Sequence, residues 1–146
     1  MKVLVVHGPN LNMLGRRDRR WYGDKPLTDI NLALEKLAER LKVDITIFQS
    51  NNEGAIIDFI QDKYSKADGI IINPGALSHY GLSLRDALAD TNLPIIEVHL
   101  SNIYAREDWR SKSVIAPVTR GQISGLGWRG YLLALEAVVA EVKGKD

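Results

Sequence analysis

The chain has no cysteine among its 146 residues. This excludes disulfides, thiolate nucleophiles, iron–sulfur clusters and zinc–thiolate sites. The chain also has almost no net charge, formally +1 at pH 7, so no global field favours nucleic acid or an acidic surface. No apolar run approaches the ~20 residues of a membrane span. Because a strand pattern starts as early as Lys2, we expect no signal peptide, and hence a cytoplasmic protein without a membrane partner.

The composition is that of an ordinary globular protein, 45% hydrophobic and 25% charged, and we expect one domain over residues 1–146. Short apolar runs predict five strands, at 3–6, 43–48, 70–72, 95–98 and 114–118. Helical spacing predicts helices over 28–42, with Thr28 as the N-cap, and over 53–64, 82–89 and 131–142. The remaining segments are predicted as a long loop at 8–26, a glycine-rich turn at 121–130 and a frayed tail at 143–146.

Strands that alternate with helices indicate a parallel sheet with right-handed crossovers. Five strands in a chain of this length predict a flavodoxin-like α/β fold. We therefore expect a three-layer sandwich with a five-stranded parallel sheet in the order 2-1-3-4-5.

Polar residues crowd at the carboxyl ends of three predicted strands. The first strand runs into His-Gly-Pro-Asn-Leu-Asn at 7–12, the third into Asn-Pro-Gly-Ala-Leu-Ser-His at 73–79, and the fourth into Glu-Val-His-Leu-Ser-Asn at 97–102. In an open parallel sheet these ends share one rim, where ligands bind. The pattern predicts an active site that performs acid–base chemistry on a polar, anionic small molecule.

A basic segment from Arg16 to Tyr22 is the fourth contributor to this predicted site. Cations within ~4–6 Å of a tyrosine hydroxyl favour its ionised form, and a tyrosinate is a credible general base. A solvated surface loop is the alternative interpretation. Basic residues beside aromatics also allow a nucleic-acid-binding hypothesis for Arg16–Arg20, which would show as salt-sensitive retention of DNA or RNA.

Two histidines, His79 and His99, fall at predicted strand ends. Glu97 precedes His99 by two residues, so both side chains lie on one face of a strand, where the carboxylate can fix the imidazole tautomer. A buried ion pair without chemistry is the alternative. Ser101 and Asn102 favour either a plain helix cap or a carboxylate site at a helix amino terminus.

Several other classes of site lack their signatures. The sequence has no phosphate-binding glycine motif, no nucleophile-elbow serine and no metal-ligand spacing. By themselves, Asp86 and Arg110 read as surface charges. A flavodoxin-like ligand-binding or regulatory module stays open as a non-enzymatic alternative, and incubation with flavin would test it.

Ordered sequence blocks along nearly the whole chain resemble the type II 3-dehydroquinate dehydratases. The blocks are Gly8-Pro9-Asn10-Leu11-Asn12, Leu14-Gly15, Arg17, Tyr22-Gly23, Gln49-Ser50-Asn51, Glu53-Gly54, Asn73-Pro74-Gly75-Ala76, His79, Leu84-Arg85-Asp86-Ala87, Glu97-Val98-His99-Leu100-Ser101-Asn102, Ala105-Arg106-Glu107, Gly125-Leu126-Gly127 and Gly130-Tyr131. This resemblance implies a flavodoxin-like fold, a dodecamer built of trimers, an active-site lid at about 15–26 and no cofactor or metal.

The resemblance also implies the reaction, an anti elimination of water from 3-dehydroquinate through an enolate to give 3-dehydroshikimate. The role is either the shikimate route to aromatic compounds or quinate breakdown. The implied catalytic residues are Tyr22 as base, Arg17 beside it, Asn12 at the enolate oxygen and His99 as acid, oriented by Glu97. The implied substrate-binding residues are Asn73, His79, Leu100, Ser101, Arg110 and, from a neighbouring subunit, Asp86.

Two of the departures from the family pattern lie in the lid and at the end of the first strand. Asp18-Arg19 stands where the family usually has Glu-Pro, and Arg16, Arg19 and Arg20 make the lid unusually basic. His7 stands where asparagine is common. We expect the first departure to affect lid closure and the second to be structural.

Overall fold

The computed structural model describes residues 1–144. The strands are β1 Lys2–His7, β2 Asp44–Gln49, β3 Gly69–Asn73, β4 Ile95–His99 and β5 Gly121–Ser124. The helices are α1 Arg19–Tyr22, α2 Leu27–Leu41, α3 Glu53–Lys63, α4 Leu82–Asp90 and α5 Arg129–Val142. Short 3₁₀ turns lie at Leu11–Met13, Tyr64–Lys66, Gly75–His79, Ile103–Ala105, Asp108–Ser111 and Ala116–Val118.

The five strands form one parallel sheet in the order β2-β1-β3-β4-β5, which confirms the predicted topology. The register aligns the strand ends: His7 pairs with Asn73 across β1 and β3, and His99 pairs with Ser124 across β4 and β5. The carboxyl ends of the strands therefore bring the predicted polar residues to one rim.

Two apolar clusters cover the two faces of the sheet. On one face α2 and α5 pack on Val3, Val5 and Ile71. On the other face α3 and α4 pack on Leu4 and Val6. Burial of one such side chain contributes ~1.5–3 kcal/mol, and strands buried on both faces read as continuous apolar runs. The sheet is therefore a rigid platform for whatever its rim carries.

The prediction for the fifth strand was wrong. The structure places β5 at Gly121–Ser124, inside the predicted turn, and a 3₁₀ turn at Ala116–Val118. Pro117 has no N–H to give to a neighbouring strand, and the Val114 amide instead donates to the Ser78 carbonyl at 2.6 Å. The true strand is only four residues long and half-buried at the sheet edge, so its hydrophobic pattern is weak.

Smaller corrections concern helix ends and the long loop. Helix α2 is capped by Pro26, whose carbonyl accepts from the amides of Asp29 and Ile30, so Thr28 lies inside the helix and is not its cap. The predicted loop at 8–26 contains the Leu11–Met13 turn and α1. Of the predicted frayed tail, residues 145–146 lie outside the described part of the chain. No helix within residues 1–144 is long and apolar enough to cross a membrane.

Candidate active site

A pocket of about 130 Å³ opens at the carboxyl rim of the sheet. It is formed by the ends of β1, β3 and β4, by α1 and by the segment that follows β4. Its lining residues are Pro9, Asn10, Leu11, Arg17, Tyr22, Asn73, Gly75, Ala76, His79, His99, Leu100, Ser101, Ile103, Arg106, Trp109 and Arg110. Arginine, tyrosine and histidine side chains converge here, as the sequence predicted.

A larger and shallower hollow, of about 640 Å³, lies at the opposite end of the sheet. Its charged lining groups include Arg120 and Glu141, which pair with each other at 3.3 Å on the surface. We place the candidate site at the smaller pocket because ligands of open α/β sheets bind at the carboxyl ends of the strands.

The loops after β1 and β3 meet closely at the bottom of the pocket, and two glycines allow this. A Cβ at Gly8 would lie 2.5 Å from the Pro74 carbonyl oxygen, and one at Gly75 would lie 2.9 Å from the Pro9 carbonyl oxygen. Gly75 also has a φ of +57°. Any side chain at either position would separate the two loops and widen the pocket.

Tyr22 reaches the pocket from α1, whose first turn is capped by the Asp18 carboxylate. The Tyr22 hydroxyl accepts a hydrogen bond from Arg106 Nη1 at 2.9 Å. The guanidinium carbon of Arg17 lies 3.7 Å from the centre of the Tyr22 ring. The tyrosine therefore lies between two permanently charged guanidinium groups. The basic segment predicted the cation of Arg17 beside Tyr22 but not that of Arg106.

Arg106 was not among the predicted site residues. Its Nη1 donates to Ser101 Oγ at 3.0 Å as well as to Tyr22, so it joins the lid to the end of β4. The only sequence signal for it was the Ala-Arg-Glu block of the family resemblance. Spacing alone did not distinguish it from Arg110.

Two other arginines of this segment are also paired within the protein. Arg19 pairs with Asp24 at 2.8 Å, and Arg20 pairs with Asp18 at 2.7 Å. The hydrogen bonds from the Arg20 side chain and amide hold the pKa of Asp18 below its usual range. These pairings neutralise two of the cations that the nucleic-acid-binding hypothesis would use.

His99 and Glu97 form a buried pair at the end of β4. Glu97 Oε2 lies 3.2 Å from His99 Nε2, an ion-pair distance without hydrogen-bond alignment. Glu97 also accepts from Ser113 Oγ at 2.7 Å and from Gln122 Nε2. Burial alone raises the pKa of Glu97, but the contact with His99 and these hydrogen bonds outweigh it and leave the pKa lowered. Glu97 is therefore an ionised carboxylate behind an imidazole that lines the pocket.

A hydrogen-bonded chain lies beneath the pocket and fixes Asn73. The Asn73 Oδ1 accepts from the Gly75 amide at 3.1 Å, and the Asn73 side chain lies beside the Tyr131 hydroxyl. That hydroxyl lies 2.8 Å from His7 Nδ1, and His7 Nε2 lies 2.9 Å from Asn31 Oδ1. Burial lowers the pKa of His7 to about 4, partly offset by the bond to Asn31. His7 is thus a neutral structural group below the pocket.

His79 and Arg110 line the opposite wall with Trp109 between them. The Lys112 carbonyl can only accept, so His79 Nδ1 carries the proton in their 2.8 Å hydrogen bond. The His79 ring meets Trp109 edge-on at 5.1 Å, and the Arg110 guanidinium lies 4.1 Å from the Trp109 ring. Arg110 also donates to Glu107 at 2.7 Å. This wall offers the guanidinium donors of Arg110 and the Nε2 acceptor of His79, held by aromatic and backbone contacts.

Two of the predicted site residues are not brought to this pocket. Asn12 is exposed on the Leu11–Met13 turn and does not line the pocket. Leu11 lies on the buried side of the same turn. Asn10, one turn earlier, lines the pocket instead, in a left-handed conformation with φ of 70°. Asp86 is exposed on α4, outside the lining of its own protomer's pocket.

Residues 1–144 contain no group of three or more histidine, aspartate or glutamate side chains placed to hold a metal ion.

Comparison with known proteins identifies the family. The family model "Dehydroquinase class II" matches residues 1–139. A 3-dehydroquinate dehydratase of Roseiflexus castenholzii is 64% identical over 136 residues, 93% of this chain and 87% of the relative. One of Halothermothrix orenii is 60% identical over 142 residues, 97% of this chain and 96% of the relative. The crystal structure of a type II dehydroquinase from Butyrivibrio crossotus superposes with a TM-score of 0.93 at 44% identity, covering 95% of this chain and 97% of that one. The chain therefore belongs to the class II dehydroquinase family.

Proposed function

We propose that this chain is a 3-dehydroquinate dehydratase that eliminates water from 3-dehydroquinate through an enolate, giving 3-dehydroshikimate. It is a hydro-lyase, and the general role of its family is the shikimate route to aromatic compounds. The observation that supports the mechanism best is one pocket that holds both Tyr22, bonded to a guanidinium, and the buried His99–Glu97 pair.

Tyr22 is the proposed general base. A proton next to a ketone is weakly acidic, so its removal needs a strong base in the correct position. The Arg106 guanidinium, which donates to the Tyr22 oxygen at 2.9 Å, and Arg17 above the ring stabilise negative charge on that oxygen. The phenolate takes the C2 proton, and the electrons of the C–H bond form the enolate.

Asn10 is the proposed enolate-stabilising side chain, in place of Asn12. Asn10 lines the pocket and its backbone amide is held by Asn51 Oδ1 at 2.9 Å, whereas Asn12 lies outside the lining. Fixed donors aimed at a developing oxyanion typically account for ~10²–10³ in kcat. An amide on a short, closely packed loop suits that task.

His99 is the proposed general acid, with Glu97 as its orienting residue. When the enolate collapses, the C1–O bond breaks and His99 supplies the proton that turns the departing hydroxyl into water. The Glu97 carboxylate stabilises the protonated imidazole and fixes its ring. General acid–base assistance of this kind contributes ~10²–10⁴ in rate.

The remaining lining residues are proposed to bind the substrate. Ser101, with the backbone amides at Leu100 and Ser101, would hold the carboxylate, and Arg106 adds a cation beside the Ser101 hydroxyl. Asn73, His79 and Arg110 would bind the ring hydroxyls. The mechanism proposed here uses no cofactor.

A neighbouring copy of the chain is proposed to complete the site through Asp86. This carboxylate is exposed on α4 and lies outside its own pocket, as a residue that serves another subunit must. A dodecamer built of trimers and a cytoplasmic location belong to the same proposal. The absence of cysteine fits a protein that has no need of an oxidising compartment.

The direct test mixes the purified protein with 3-dehydroquinate and follows ultraviolet absorbance, because the product has a C=C bond conjugated with its carboxylate and the substrate has none. We expect a rise that survives both a chelator and borohydride. A rise abolished by chelator would contradict the cofactor-free mechanism. A folded, assembled protein that gives no rise would contradict the function itself.

A further inference from the structure

Trp21, the lid residue before Tyr22, lies within cation–π distance of two arginines. Its ring centre is 4.9 Å from the guanidinium carbon of Arg106 and 5.7 Å from that of Arg20. Trp21 is half-buried and is not itself among the lining residues of the pocket. Its contacts therefore connect the lid to a pocket arginine without touching the space for the substrate.

Arg106 is the cation that meets the Tyr22 hydroxyl, and its hydrogen bonds hold it at one end only. Nη1 makes both bonds, to Tyr22 and to Ser101. Its Nε is buried and has no hydrogen-bond partner within the described residues. A planar guanidinium held at a single nitrogen can still rotate, so contacts on its face decide its orientation. The Trp21 ring supplies one such contact, at 4.9 Å, beside the ring of Tyr22 itself at 5.1 Å.

Trp21 is in turn connected to the carboxylate that caps the lid helix. Asp18 accepts from Arg20 Nη2 at 2.7 Å and Nε at 3.2 Å, and from the Arg20 backbone amide at 3.0 Å. Asp18 thereby fixes the start of α1 and the guanidinium beside the Trp21 ring. The capping group, the tryptophan and the base lie within five consecutive residues.

We propose that Trp21 is a positioning residue that orients the Arg106 guanidinium toward the Tyr22 oxygen. The inference rests on the proposed function, in which Tyr22 is the base. Because Trp21 and Tyr22 share one short helix, the movement that brings the base into the pocket also brings the ring that orients its cation. The lid thus delivers both parts of the proton-abstracting unit together.

The test compares steady-state kinetics of Trp21→Leu and Trp21→Phe, each in the wild-type chain and in Arg106→Lys. Lysine keeps the charge but has no planar face to stack. We expect Trp21→Leu to lower kcat about tenfold, roughly 1.4 kcal/mol, with KM changing by less, and Trp21→Phe to stay within about threefold, since phenylalanine keeps a ring face. In the Arg106→Lys chain, Trp21→Leu should change kcat by less than about twofold.

Trp128 provides the matched control, because it is also flanked by two cations, Lys25 at 4.7 Å and Arg129 at 4.9 Å, but does not line the pocket. We expect Trp128→Leu to leave kcat within about twofold of the wild type. The inference is overturned if Trp21→Leu has wild-type kcat, if phenylalanine fails as leucine does, or if the tenfold loss persists in Arg106→Lys.

A second readout does not need turnover and so separates this inference from the proposed function. Limited trypsin digestion reports the opening of the lid, where arginines 16, 17, 19 and 20 are cleavage sites. We expect Trp21→Leu to raise the cleavage rate there several-fold and Trp21→Phe to raise it little. If the wild type does not convert 3-dehydroquinate, the proposed function fails, and wild-type cleavage of Trp21→Leu then overturns this inference as well.

Discussion

The two halves of the site are held by different kinds of contact. The floor, defined here as His7, Asn73, Glu97 and His99, is at most 6% exposed, and all four residues lie in or at the end of strands buried on both faces. The proposed lid, residues 15–26, is held by exposed ion pairs, with the side chains of Arg19 and Arg20 75% and 77% exposed. The proposed acid therefore stands on a rigid platform, whereas the proposed base lies on a segment whose ion pairs are exposed to solvent.

This difference separates stability from activity. Removing one partner from a buried hydrogen-bonded network is strongly destabilising, whereas exposed ion pairs contribute little to folding and are screened by salt. Changes in the floor should thus affect both the fold and the rate, and changes in the lid should affect the rate alone.

The largest expected effect comes from the acid on the floor. His99→Ala removes the proposed proton donor for the departing hydroxyl, so we expect kcat to fall ~10²–10⁴-fold. Ultraviolet assays of product formation give the value. His79→Ala is the comparison, since His79 lines the wall and should raise KM more than it lowers kcat. A His99→Ala enzyme with unchanged kcat would remove His99 from the acid role.

The carboxylate behind the acid should have the next largest effect. Glu97→Gln replaces an ionised, buried carboxylate by a neutral amide. The NH₂ group of that amide would then face Ser113 or Gln122, each of which donates to Glu97 in the wild type. We expect kcat to fall about 10–100-fold and the thermal midpoint to drop. Glu35→Gln, an exposed change on α2, is the control and should change neither. A Glu97→Gln enzyme as active as the wild type would mean that the pair is structural only.

The pH dependence of stability should reveal that His7, in the floor, is buried in its neutral form. In the unfolded chain this histidine takes a proton near pH 6.5, but in the folded protein only near pH 4. Between these values the unfolded state binds more protons, so stability falls as pH falls. We expect the buried neutral His7 to lower the free energy of unfolding by about 2 kcal/mol as the pH falls from 7 to 5. His7→Asn should remove this contribution to the pH dependence. Urea unfolding at both pH values measures it, and an identical pH dependence in the variant would contradict the account.

The smallest expected effect lies in the lid. Asp18→Asn weakens the ion pair with Arg20 but keeps a helix-capping side chain. We expect kcat to fall about two- to threefold, less so at high salt, with no change in the thermal midpoint. Asp62→Asn, which breaks an exposed pair with Lys63 at 2.8 Å, is the matched control and should leave kcat unchanged. A clear drop in the thermal midpoint of Asp18→Asn would contradict the division between floor and lid.

The same division explains which parts the sequence could predict. Strands buried on both faces give continuous apolar runs, so β1, β3 and β4 and the polar residues at their ends were predictable. Strand β5 was not, because an edge strand of four half-buried residues has almost no pattern, and a proline-containing run nearby looked more like a strand. Helix α1 was missed because its four residues include none that is fully buried, and its contacts with Arg106 come from a distant part of the chain.

Contacts between residues of the site were also predictable only where both residues lie on the same element. His99 and Glu97 could be paired from their spacing on one strand. Arg106 could not, because its importance comes from a hydrogen bond to a residue 84 positions away. Asn10 and Asn12 differ only in the direction of one 3₁₀ turn, which local sequence does not encode clearly.

The most direct measurement of the central claim, a base on the lid and an acid on the floor, is exchange of the C2 proton of 3-dehydroquinate in D₂O, followed by NMR alongside product formation. We expect His99→Ala still to exchange the C2 proton while forming little product, because Tyr22, as the proposed base, would still make the enolate. We expect Tyr22→Phe to do neither. If Tyr22→Phe exchanged the C2 proton as fast as His99→Ala does, another group would be the base and the role proposed for Tyr22 would be wrong.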